Sequence, residues 1–424
     1  MTSKRGPTLG RRAFVAGAAG ALGAGVIRGA MGADAAEAQV APGPSVGGGG
    51  EGASEFVDTT KVQGPIASPV GERSPFETPA RTVAPTGTSS RTPHQDLLGT
   101  LTPSDLHFER HHAGVPRIDP SQYSLLIHGM VERPMVFTLD DLKRFPSVSW
   151  IRFLECSGNF PRNAPEESSP QQICGLTSQS EWTGVPLSLL FREVGVLPGA
   201  TWFVAEGQDA AVMTRSVPVE KAWDDALIAY GQNGEALRPE TGYPARLFLP
   251  GWEGNANVKW IRRIELSDGP FMTRDETSRY TDPLKGGRAR QFSLVMDARS
   301  IITHPCHPER ITPGWREIRG IAWSGRGRIS SVELSFDEGA RWQKAELQEP
   351  ILPKAHVRFR SAWRWNGEET TILSRATDET GYVQPTQREI IEARGVGTNY
   401  HLNPITGWRI RPDGQVVYRT EVWE

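Results

Sequence analysis

Cys156 stands at the end of an alternating run, Ser149-Trp150-Ile151-Arg152-Phe153-Leu154-Glu155, and is followed by the small-residue turn Ser157-Gly158-Asn159. That pattern predicts a thiol held at a strand end, with room for another atom to approach its sulfur closely. A thiolate binds soft or high-valent metals; a cysteine in such a place is otherwise a small core residue with no chemistry. The other cysteines, Cys174 and Cys306, form no CxxC pair, and three thiols are too few for a disulfide scaffold. His304-Pro305-Cys306-His307 brings two imidazoles and a thiol together, and His111-His112 adds a second pair, but the Pro-rich spacing of the former is not a familiar zinc pattern, and burial or a disulfide is expected for its thiol. No GxGxxG or GxxxxGK[ST] follows a strand, which removes the usual phosphate cradle of dinucleotide and nucleoside-triphosphate enzymes. No CxxCH occurs either, so no c-type haem is expected on this chain.

Short elements must position these groups. Tyr123, Leu125 and Ile127 alternate with polar or outward residues before Gly129, predicting a strand that ends in a turn. Thr138 precedes Leu139, Leu142 and Phe145, with Asp140 and Asp141 in the first turn of a capped helix. A second helix is expected from Pro186 to Val194, its apolar face Leu187, Leu190, Phe191 and Val194, its stop Gly195. After about Arg299 the texture becomes strands alone. Val332, Leu334 and Phe336 run to a hairpin turn at Asp337-Glu338-Gly339, and further strands are expected at 318–323, 357–363, 370–376 and 416–422. The expected fold class is α+β: a mixed α/β domain at 96–298, followed by an all-β immunoglobulin-like sandwich at 299–424.

Composition bounds what such a chain does. Of 424 residues, 45 are Gly and 33 Pro, which favours turns and short strands over helical bundles. The 47 Lys and Arg against 49 Asp and Glu leave no uniformly basic surface, arguing against nucleic acid as a partner. Arg11-Arg12 precedes a weakly apolar Ala/Gly-rich stretch that stops at Arg28, too short for a comfortable membrane span and similar to a twin-arginine export signal. Residues 1–38 are therefore expected to direct the protein to the periplasm, with no membrane span in the mature chain. Residues 39–95, rich in Gly, Pro, Ser and Thr, read as an arm or linker.

Glu155-Cys156-Ser157-Gly158-Asn159 also belongs to an ordered series: Phe108-Glu109-Arg110-His111-His112, Tyr243-Pro244-Ala245-Arg246, Gly251-Trp252-Glu253-Gly254-Asn255-Ala256-Asn257-Val258-Lys259-Trp260, Gly320-Ile321-Ala322-Trp323 and Gly381-Tyr382-Val383-Gln384-Pro385. From about residue 100 onward this series resembles the sulfite oxidase family of molybdenum enzymes, and within it the molybdenum subunits of bacterial sulfur-oxidising (Sox) dehydrogenases. The resemblance implies molybdenum bound by one pyranopterin (molybdopterin), with Cys156 as its protein ligand. It implies Arg246 and Lys259 as cofactor contacts, with His112 and Asn159 as further cofactor neighbours. Arg110 matches the family's anion-binding arginine beside the metal, and Tyr280 its active-site tyrosine. The last domain is implied to serve dimerisation.

Departures tilt the substrate. The family follows its cysteine motif with adjacent arginines, where this chain has Phe160-Pro161-Arg162; its aromatic-His-Arg becomes Tyr400-His401-Leu402. Less positive charge would hold a small free dianion less strongly. The resemblance therefore implies sulfur carried on a larger partner, a sulfur-carrier protein, besides thiosulfate or sulfite, with Arg162 as a partial replacement. A c-type cytochrome subunit or soluble cytochrome c is the implied electron acceptor, and a homodimer core or heterotetramer the implied assembly. A sulfoxide reductase with the same cofactor and a non-enzymatic binding module remain alternatives.

Overall fold

The computed structural model describes residues 61, 63–64 and 66–419. The expected export segment and most of the arm lie outside the described residues. The chain divides into two compact units, Met1–Gly71 and Glu72–Glu424; of the first, only 61, 63–64 and 66–71 are described, and they carry no strand. All that follows concerns the second.

From Thr82 the segment expected as an arm is paired into a small antiparallel sheet, Thr82–Val83 on Ser89–Arg91 and Ser89–Arg91 on Glu109–Arg110. Polar contacts fix it: the buried Thr92 hydroxyl bonds the Leu106 carbonyl at 2.9 Å and Ser178 Oγ at 2.7 Å. Apolar periodicity carries no trace of such bonds, which is why the sequence reads there as a linker.

Two five-stranded sheets build the α/β domain. In one, the cysteine strand Val148–Glu155 pairs with Thr177–Pro186, which pairs with Leu227–Gln232, and Arg246–Phe248 lies on the latter. In the other, Ser124–Gly129 runs parallel to Ile261–Ser267 and antiparallel to Met135–Thr138. Strands Trp202–Gly207 and Thr214–Pro218 complete it. The expected helices form at Leu139–Arg144, where Thr138 and Asp141 make a reciprocal capping box, and at Leu187–Val194, stopped by Gly195 at φ 68°. Leu187, Leu190, Phe191 and Val194 are fully buried with Ile127, Phe203, Ile228 and Leu247 in one cluster that glues the two sheets together. Burial of each such side chain contributes roughly 1.5–3 kcal/mol.

The C-terminal region is a sandwich of two antiparallel sheets. Gly314–Trp323 and Val357–Trp365 form the centre of one, with Arg299–His304 at its edge; Ile329–Ser335, Thr370–Asp378 and Thr406–Ile410 form that of the other. It is not strands alone. Gln387–Arg394 is a helix, because Thr386 and Glu389 cap each other's backbone N–H groups, a local signal that the surrounding strand pattern masks. Phe153 of the cysteine strand belongs to the same apolar cluster as Trp323 and Ile318, so the sandwich is packed directly behind the strand that ends at Cys156.

Candidate active site

A cavity opens where the cysteine turn, the 251–260 loop and the end of the Glu109–Arg110 strand meet. Arg110, His112, Cys156, Arg246, Lys259 and Tyr280 all line it. The structure thus brings together six residues spread over 170 positions of sequence.

Cys156 is half-buried. Its N–H donates to the Leu176 carbonyl at 2.9 Å and its carbonyl accepts from Asn159 N–H at 3.0 Å, which closes the turn. Burial pushes its thiol up, while the Gly158 N–H and the Arg110 charge act the other way. The 251–257 loop lies against this turn. A Cβ on Gly254 would sit 2.8 Å from the Glu155 carbonyl oxygen, so glycine is required for that approach.

Arg246 is fully buried, donating at 2.8 Å to the carbonyls of Thr241 and Asn257, with its guanidinium 5.2 Å over the Trp182 ring. Lys259 Nζ donates to the Glu240 carbonyl at 2.8 Å and lies 4.3 Å over the Trp260 ring. Among the described residues, neither forms a salt bridge with a carboxylate. Burial alone takes Arg246 down to about 9; burial, then the Arg246 charge, takes Lys259 down to about 7. A buried arginine and a partly buried lysine, neither in a salt bridge, suit an incoming anion such as a phosphate. A half-buried thiol in the lining of the same cavity completes a donor set suited to a metal-bearing pterin phosphate, and the residues therefore fit that cofactor.

Arg279 donates to His112 Nδ1 at 2.7 Å, and His112 Nε2 lies 3.0 Å from the Tyr280 hydroxyl. Burial, then Arg110 and Arg279, hold His112 down at about 4, so the ring is neutral near neutral pH. Since Nδ1 accepts, Nε2 carries the proton and donates to Tyr280, leaving the tyrosine O–H free to donate elsewhere. Burial pushes Tyr280 up, so it keeps that proton. Arg110 donates to the His111 carbonyl.

Asn159, expected as a cofactor neighbour, does not line the cavity. It is 1% exposed, with Nδ2 donating to Glu155 at 3.0 Å and Oδ1 accepting from Leu176 N–H at 2.7 Å. Adjacency to the cysteine in sequence carried its side chain to the opposite face of the turn. Arg162 likewise stays outside, donating to the Val396 carbonyl, and Leu402 packs in the sandwich core. Cys174 and Cys306 are buried free thiols. Around Cys306 the partner is Glu309, and no group of three or more His, Cys, Asp and Glu could hold a metal among the described residues.

Sequence reasoning missed several wall residues, including His111, Asp209, Asn255 and Asn257. The signal for the last two was present, because they flank Lys259 in the same motif. It also missed Arg215, which is wholly buried beneath Tyr280 with its guanidinium 4.8 Å over that ring. Arg215 pairs with Glu253 and Glu276, each at 2.9 Å, and Glu253 accepts from His401 Nε2 at 3.1 Å.

The chain is also similar to known proteins. Residues 112–274 match the oxidoreductase molybdopterin binding domain and residues 290–407 the Mo-co oxidoreductase dimerisation domain. The structure is similar to that of the sulfane dehydrogenase SoxCD from Paracoccus pantotrophus, with TM-score 0.81 and 42% identity over 86% of this chain and 98% of that one. The mitochondrial sulfite oxidase of Drosophila melanogaster is 31% identical over 337 residues, 71% of this chain and 58% of that protein. An NADH nitrate reductase of Ulva prolifera is 31% identical over 343 residues, 70% of this chain and 39% of that protein. The chain thus spans less than two thirds of these curated relatives. No helix among the described residues is long and apolar enough to cross a membrane.

Proposed function

The chain belongs to the sulfite oxidase family of molybdopterin oxidoreductases, and from that membership we propose that it oxidises reduced sulfur in the periplasm, passing electrons to a c-type cytochrome. The substrate is sulfane sulfur on a carrier protein, or thiosulfate or sulfite. Each turn adds one oxygen from water to the sulfur and releases two protons and two electrons. When bound, the molybdenum cofactor supplies oxygen-atom transfer and two-electron storage.

The observation that carries this reading is the partly buried Cys156 in a cavity whose lining also holds Arg246 and Lys259 without salt-bridge partners. Cys156 ligates the metal. Arg246 and Lys259 hold the pterin phosphate. Arg110 lends positive charge to an oxyanionic substrate, and the free Tyr280 O–H donates a hydrogen bond to its oxygen, oriented by neutral His112. Because Arg162 and Leu402 contribute nothing to the cavity, a small dianion meets fewer cations than the motif pattern of the family would supply, which favours sulfur presented on a larger partner.

The test is cytochrome c reduction by purified enzyme with a sulfane-loaded carrier protein, thiosulfate or sulfite, beside dye-linked reduction of nitrate and of a sulfoxide. Reduction of cytochrome with a sulfur donor is expected. Turnover only with nitrate or the sulfoxide would overturn the direction of flow. Cys156→Ser is expected to abolish turnover; full activity with molybdenum bound would remove the thiolate from the mechanism.

A further inference from the structure

We propose that Glu155, clamped by Arg299 and Trp323 of the C-terminal sandwich, positions the neighbouring Cys156 thiol, making the sandwich part of the site's framework. Glu155 is 1% exposed. Its carboxylate accepts from Trp323 Nε1 at 2.6 Å, Arg299 Nη1 at 3.1 Å and Asn159 Nδ2 at 3.0 Å. The same Arg299 nitrogen donates to the Asn159 carbonyl at 2.7 Å. Both ends of the five-residue turn from Glu155 to Asn159 are therefore tied to one guanidinium from the other domain.

Adhesion between the domains does not require this arrangement. Phe153 already packs in the sandwich's apolar cluster, and Lys354 bridges to Asp225 at 2.5 Å. A buried ion pair adds little net stability over an apolar contact of equal volume, but its directional bonds select one geometry. Here the geometry selected is that of the turn whose second residue is the thiol. Trp323 and Arg299 are positioning residues; neither lines the cavity.

The catalytic consequence rests on Cys156 being the metal ligand, but the positioning itself is testable without cofactor. In full-length protein purified from a host unable to make the pterin, the alkylation rate of Cys156 by iodoacetamide is followed by mass spectrometry. Trp323→Phe keeps a ring but removes the N–H, and Glu155→Gln keeps the shape but removes the charge. Each is expected to change the Cys156 rate about fivefold, the scale of one lost hydrogen bond, with Cys174 and Cys306 remaining unlabelled. Lys354→Met, which loosens the interface elsewhere, should leave the rate unchanged. In loaded enzyme Trp323→Phe should lower kcat with KM within about twofold and alter the paramagnetic spectrum of the half-reduced metal. Unchanged alkylation in both clamp variants, or an equal change in Lys354→Met, would overturn the proposal. Full turnover by Cys156→Ser would instead sink the ligand assignment while leaving the alkylation result standing.

Discussion

Arg246 and Arg215 are both buried guanidinium groups beside one cavity, yet their surroundings are opposite. Arg215 sits between Glu253 and Glu276, and although burial works against it, those carboxylates push it above the usual arginine range. Burial also opposes ionisation of Glu253, but Arg215 and His401 bring it down to about 2. His401 is raised by the same Glu253 against its own burial. With His401 protonated, that quartet is internally neutral. Arg246 and Lys259 have carbonyls and aromatic faces instead, and both are lowered, chiefly by burial. Buried charge that is balanced within the chain builds framework; buried charge left open marks where a ligand must supply the balance.

The largest effect expected from this contrast is in the closed quartet. Glu253→Gln leaves Arg215 and His401 undercompensated and should destabilise the fold by about 3–5 kcal/mol, read as a lower denaturant midpoint with or without cofactor. At the open pair the order reverses. Arg246→Met should leave cofactor-free stability within about 1 kcal/mol but weaken pterin retention by roughly 10- to 100-fold, measured by cofactor release on dilution.

The contrast extends to pH. Lys259 titrates at about 7 in the fold against 10.5 ordinarily, so the unfolded chain binds the extra proton between those values. Cofactor-free protein should gain stability as pH rises from about 7 toward 10 and bind pyrophosphate more tightly as pH falls from about 8 to 6. Glu253 has the same sign in a lower window: its contribution is present above 4.5 and lost as pH falls toward about 2. Urea midpoints across pH check both windows. Tyr280→Phe should lower kcat about 10-fold or more with little change in melting. The smallest effect is expected from Arg162→Ala, within about twofold in kcat/KM, because that side chain bonds the Val396 carbonyl outside the cavity.

Much of the cavity lining was legible because its residues sit in local motifs. Cys156 followed an alternating strand, and Arg246 and Lys259 lay inside recognisable segments. Asn159 lies outside the cavity lining, since sequence adjacency does not say which face of a tight turn a side chain takes. Arg215 was illegible: nothing near it in sequence announces Glu253 and Glu276, 38 and 61 residues away.

Sequence alone determined the strand ending in a thiol, the capped helices with their apolar faces and the division into a mixed domain and a β-sandwich, because periodicity and capping act over a few residues. Only the tertiary structure decided which cations stay open and which are neutralised, and that the sandwich grips the residue beside Cys156. Coulomb energy and desolvation depend on distance and burial in space, and neither is encoded in any short stretch of chain.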